Sequence, residues 1–169
     1  MKILGVDPGS INAGYAIVEV VGHKLFLRSH GTIKMKGSAP FSERLMTLFD
    51  SIEEVIGRFS PGIMSIEKVF FAKNPMSALK LGQARGVLLL AAEKNGLELF
   101  EYNPTEVKSA IVGNGRATKE DVAKILDFTF GRQEFDSHDA SDAVSIATCH
   151  ALCALHQERK NKGRNSISL

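Results

Sequence analysis

The chain has 169 residues, 44% of them hydrophobic and 24% charged. That is long enough for one domain with a real core, and too apolar for an intrinsically disordered chain. The net charge of +2 points to no class of partner, but it is unevenly spread: Arg159, Lys160, Lys162 and Arg164 stand between residues 159 and 169 with no acid among them, which leaves the remainder about two units negative. No apolar run reaches membrane-spanning length, and the N-terminus lacks the charged-then-apolar pattern of a signal peptide, so the chain reads as soluble and cytoplasmic. Cys149 and Cys153 read as small, reduced side chains on a core face. A zinc site built on them with His150 or His156 is the weaker reading, because two cysteines alone do not close one.

In chain order, Ile3-Leu4-Gly5-Val6-Asp7 is a short apolar strand that runs into one carboxylate and is stopped by Pro8-Gly9. Residues 13–20 form the second strand of a hairpin, and residues 24–33 a third beyond the turn at Gly22, giving an antiparallel meander. From Pro40 the period changes. Leu45, Leu48, Phe49, Ile52, Val55, Ile56 and Phe59 recur at three- and four-residue steps, an amphipathic helix ended by Ser60-Pro61-Gly62. Ile63-Met64-Ser65-Ile66-Glu67 is a second strand that ends on an acid. A loop containing Phe70 and Phe71 leads into a helix from about Met76 to Asn95. Gly82 and Gly86 share one of its faces, and each costs a helix about 1 kcal/mol; they suggest close backbone approach to another element, in this chain or in a second copy.

Residues 97–102 are another strand. Asn103-Pro104-Thr105-Glu106 and Thr118-Lys119-Glu120-Asp121 each open a helix. A last helix spans about His138 to Glu158. The expected fold is α/β: a mixed central sheet with the antiparallel three-strand meander at its N-terminus and helices on both faces. Residues 1–158 form a single domain, and residues 159–169 read as a basic, disordered tail.

Four acids stand out. Asp7 and Glu67 end apolar strands. Asp139 and Asp142, three apart, share a face at the start of the last helix. Acids after apolar leads need partners. Together they suit a two-metal site, in which two Mg²⁺ ions about 4 Å apart activate water and stabilise the leaving oxygen of a phosphodiester. Hard oxygen donors favour Mg²⁺ or Mn²⁺ over zinc. Lys108, Arg116 and Lys119 frame the Gly113-Asn114-Gly115 turn and suit phosphate contacts. One of Phe70 and Phe71 is placed to stack on a base.

Gly5-Val6-Asp7-Pro8-Gly9 with Gly14-Tyr15-Ala16, then Glu67-Lys68-Val69-Phe70, then Leu81-Gly82-Gln83-Ala84-Arg85-Gly86, and finally Asp139-Ala140-Ser141-Asp142-Ala143 resemble, in order, the motifs of the RuvC family of Holliday-junction resolvases. The resemblance implies a ribonuclease-H-like fold and a Mg²⁺-dependent homodimer, with Mn²⁺ able to substitute. It implies paired cuts in opposed strands of four-way junction DNA, and RuvA and RuvB as branch-migration partners. Carried over by position, it assigns Asp7, Glu67, Asp139 and Asp142 as catalytic metal ligands and Phe70, Lys108 and Lys119 as DNA-contacting residues. Some members carry His where Asp139 stands, and His138 is adjacent; the three-residue spacing to Asp142 favours Asp139. Two other functions compete: a non-catalytic junction-binding protein, and an actin-like-fold ATPase, for which the chain is too short.

Overall fold

The computed structural model describes residues 1–68 and 74–165, and the side chains up to residue 161. In chain order the elements are β1 (Lys2–Asp7), β2 (Asn12–Val21), β3 (Lys24–Lys34), α1 (Phe41–Phe59), β4 (Ile63–Glu67), α2 (Pro75–Lys94), β5 (Glu98–Tyr102), α3 (Pro104–Val112), α4 (Lys119–Phe130) and α5 (His138–Asn165). The strands form one sheet of order β3-β2-β1-β4-β5. β1 is antiparallel to β2, and β2 to β3; β1 is parallel to β4, and β4 to β5.

Strand alternation divides β1 between two cores. Leu4 and Val6 join Ile17, Met64 and Ile66 in packing against α1 and α2. Ile3 joins Val18 and Val20 in packing against Ala147, Ala151 and Leu155 of α5. A third cluster joins α5 to α3 and α4 through Val107, Ile111, Val122, Leu126 and Val144. Both faces of the sheet are therefore covered by helices, as expected.

The two helix starts read from the sequence carry reciprocal caps. The Asn103 side chain accepts from Glu106 N at 2.9 Å, and Glu106 Oε2 accepts from Asn103 N at 2.8 Å. Thr118 and Asp121 repeat the pattern on α4. The last helix runs past its expected end. α5 continues from Glu158 to Asn165, so residues 159–165 extend it by almost two turns.

Close backbone approach occurs elsewhere than at Gly82 and Gly86. A Cβ at either of those would meet open space. A Cβ at Gly5 would overlap the Ala143 carbonyl oxygen and lie 2.7 Å from Ala147 Cβ, and one at Gly14 would overlap the Asp139 carbonyl. These two glycines let α5 settle directly onto β1 and β2. Small residues on α5 (Ala140, Ala143 and Ala147, all fully buried) complete the contact.

Candidate active site

The side-chain period of two puts Asp7 on the same sheet face as Ile3 and Gly5, beneath α5. Glu67 falls on that face of β4 for the same reason. The strands are adjacent and parallel, in the register Val6 to Ile66, so the two acids sit side by side at the carboxyl ends of both. The third contributor is the start of α5, and β3 holds it there. Thr32 Oγ1 donates to Asp136 Oδ1 at 2.9 Å and lies 2.5 Å from Ser137 Oγ, while Ser137 Oγ accepts from Ala140 N at 3.1 Å. The turn after Asp7 is fixed from the other side of the sheet, where buried Arg44 of α1 donates to Ser10 O at 2.8 Å. Neither Thr32 nor Arg44 was singled out from the sequence. An arginine one residue before the first leucine of the apolar stripe of α1 is the one local sign of the second; nothing local marks the first.

Burial pushes the Asp7 carboxyl up from 3.8 to about 8, and the charges of Glu67, Asp142 and Asp139 add to the shift in that order. Burial and then Asp142 raise Glu67. All four sequence-derived acids therefore share one electrostatic neighbourhood. Among the described residues an ammonium answers them: Lys119 Nζ donates to Asp142 Oδ2 at 2.8 Å. That bond holds the lysine above its usual range, helped by the charges of Asp142, Asp7 and Glu67.

A cleft of about 490 Å³ opens beside these groups, lined among others by Glu67, Lys108, Lys119, His138, Ser141 and Asp142. Lys108 and Lys119 thus face the cleft. Arg116 is exposed on the α3–α4 turn and does not line it. His138 lines the cleft, whereas Asp139 acts on Asp7 through its charge, so both remain neighbours of the site. Phe70 lies outside the described residues. A larger groove of about 910 Å³, between the β2–β3 hairpin and the end of α5, holds none of the acids.

Among the described residues, no three His, Cys, Asp or Glu side chains already converge as a metal-ligating group. The donor chemistry nevertheless fits a hard divalent cation. It offers four carboxylates beside His138, one of them half-buried and driven toward neutrality by its neighbours, with the Lys119 ammonium as the counter-charge seen among the described residues. A cation placed among them would relieve repulsion that burial otherwise magnifies.

A 3-2-1-4-5 sheet crossed by a helix, with carboxylates at two adjacent strand ends and two more at the helix start, is the ribonuclease-H-like arrangement. Comparison with known proteins agrees. The family model for crossover junction endodeoxyribonuclease RuvC matches residues 3–150. The RuvC of Syntrophotalea carbinolica is 42% identical over 153 residues, covering 90% of this chain and 95% of the relative. That of Citrifermentans bemidjiense is 43% identical over 154 residues, covering 91% and 94%. Thermus thermophilus RuvC, solved in complex with a Holliday junction substrate, superposes with a TM-score of 0.86 at 34% identity over 91% of this chain and 94% of its own. The yeast mitochondrial Holliday junction resolvase shares the fold at a TM-score of 0.68 and 16% identity, covering 96% of this chain and 83% of its own. The chain belongs to the RuvC family of crossover junction endodeoxyribonucleases.

Proposed function

We propose that this chain resolves four-way DNA junctions in recombination and repair by hydrolysing one phosphodiester in each of two opposed strands. Asp7, Glu67, Asp139 and Asp142 hold two Mg²⁺ ions, for which Mn²⁺ can substitute, and His138 is the alternative fourth ligand. The observation that carries this reading is the convergence of three acids, Glu67 of β4 with Asp139 and Asp142 of α5, onto Asp7 of β1, whose carboxyl is driven to about 8. Isolated structural carboxylates are not placed to repel one another in this way.

Bound there, the cations would activate water and stabilise the departing sugar oxygen. The chain's own contribution is positional. β1 and β4 fix two ligands on a rigid sheet, Gly5 and Gly14 bring the other two within reach, and α1 and β3 hold the flanking turns. Lys108, Arg116 and Lys119 meet phosphates around the cleft, and Phe70 stacks near the junction centre. The test is cleavage of a four-way junction and of a linear duplex of the same sequence, with Mg²⁺ and with EDTA. Cutting of the junction alone, and only with metal, is expected; equal cutting of both substrates, or none, would overturn the reading.

Symmetric cuts need two active sites, and we place the second in another copy of this chain, in the cytoplasm with RuvA and RuvB as partners. The support for a homodimer is the outer face of α2. Met76, Leu79 and Leu90 are 59%, 55% and 61% exposed. With Gly82, Gln83 and Gly86 they form one stripe at three- and four-residue steps, the spacing of a helix–helix seam. The two glycines, open to solvent in the single chain, would let a partner helix approach closely. Leu79→Glu combined with Leu90→Glu is expected to give a folded monomer by analytical ultracentrifugation, and to lose paired cuts on a junction held in a supercoiled plasmid.

A further inference from the structure

We infer that Lys119 is an exchangeable counter-ion that couples junction binding to metal loading: its ammonium neutralises Asp142 in the metal-free protein and leaves that carboxylate for a DNA phosphate. This rests on the ligand set proposed above. Three observations carry it beyond that set. The Lys119 Nζ–Asp142 Oδ2 bond, at 2.8 Å, is the ammonium contact within the acid cluster among the described residues. The lysine side chain is 70% exposed and its partner 35%, so no packing holds the ammonium in place once another anion is offered. Lys119 also occupies the first helical position of α4, straight after the Thr118 cap, where a helix favours acids, as at Glu120 and Asp121. Its placement therefore serves the cleft and not the helix.

The physical consequence is a three-way competition. A lysine is a compact charge on a flexible stem, so Lys119 can answer Asp142 or a phosphate at the cleft mouth, but not both at full strength. While it answers Asp142, it occupies one ligand position electrostatically and opposes a divalent cation. When a phosphate draws it away, Asp142 becomes a free ligand beside Asp7 and Glu67. Junction binding then raises metal affinity, and by linkage metal raises junction affinity by the same factor. The protein in this state holds metal weakly until the scissile strand has arrived. Lys108 lines the same cleft without an ion pair to any of the acids, and it provides the comparison for general charge effects.

Two measurements test this, neither of which reads activity. Mn²⁺ binding to the DNA-free protein is followed by the electron spin resonance of the free ion, for wild type, Lys119→Met, Lys108→Met and Asp7→Asn. Lys119→Met should tighten binding about fivefold or more, and by clearly more than Lys108→Met. In EDTA, four-way junction affinity is measured in a double-mutant cycle of Asp142→Asn and Lys119→Met. Asp142→Asn should tighten junction binding several-fold when Lys119 is present and far less when it is Met; the cycle cancels the general loss of negative charge. Equal effects of the two lysine variants on Mn²⁺, or an additive cycle, would overturn the exchange while leaving the ligand set intact. Mn²⁺ binding that Asp7→Asn does not weaken would overturn the ligand set and the exchange together.

Discussion

Asp7→Asn is expected to abolish junction cleavage, by at least ~10³-fold, in a protein that still binds junctions and is more stable than wild type above neutral pH. The loss follows from removing the one acid that the other three surround: the several kcal/mol of charge stabilisation that a metal supplies at a scissile phosphate correspond to about that factor in rate. The gain in stability follows from linkage. The Asp7 carboxyl is raised from 3.8 to about 8 in the folded chain. Between those pH values the metal-free native state holds a proton that the unfolded state has released, so stability is full below about pH 4 and falls as pH rises through 8. A shift of that size corresponds to as much as ~6 kcal/mol at its limit. Asparagine never ionises and escapes this cost. Thermal melts in EDTA at pH 4.5, 6.5 and 8.5 should show wild type losing ground to the variant step by step. A variant that melts with wild type at every pH would mean that Asp7 is not held as an unwilling anion. Adding Mg²⁺ at pH 8.5 should stabilise wild type and leave the variant nearly unchanged.

Gly14→Ala should damage both folding and cutting, although it adds a single methyl group. That methyl would overlap the carbonyl oxygen of Asp139. Neither side yields cheaply, since β2 is paired on both edges and α5 is tethered through Thr32 to Asp136 and Ser137. Overpacking of this kind costs about 1–3 kcal/mol or more. What remains folded must lift the start of α5, and displacement of positioned groups by about 1 Å is enough for a ~10²-fold loss of rate. Gly57→Ala is the matched control. Its Cβ meets open space on an exposed turn of α1, and the substitution should stabilise by up to about 1 kcal/mol with cutting unchanged. Urea midpoints and single-turnover rates on the same preparations separate the two effects. Retention of both by Gly14→Ala would show that α5 can slide along the sheet without consequence for the acids.

The strength of local signals decided how much of this could be read from the chain. Strand ends at Asp7 and Glu67, the reciprocal caps at Asn103 and Thr118, and the three-residue spacing of Asp139 and Asp142 are all contained in short windows, and the structure has them where the sequence puts them. Relations across the sheet have no such window. The glycines at Gly82 and Gly86 draw attention because a helix disfavours them, yet the intimate contacts are at Gly5 and Gly14, where glycine in a strand is locally unremarkable. The Lys119–Asp142 pair joins residues on different helices, and the support from Thr32 and Arg44 comes from distant elements. Even the end of α5 escaped, because the basic residues there suggest a loose tail in composition.

The antiparallel arm of the sheet has a practical use. Because β2 runs back along β1, the Gly22-His23 tip lies beyond Glu19, the partner of Lys2, at the opposite end of the strand from Asp7. Eight steps of extended backbone at about 3.3 Å each, from Gly14 opposite Asp7 to Gly22, put roughly 26 Å between them. Gly22 is left-handed, with φ +60°, and a Cβ there meets nothing. A fluorophore or surface tether attached at that bend would report on the enzyme from its back, leaving the face that receives the crossover unobstructed while individual strand scissions are timed.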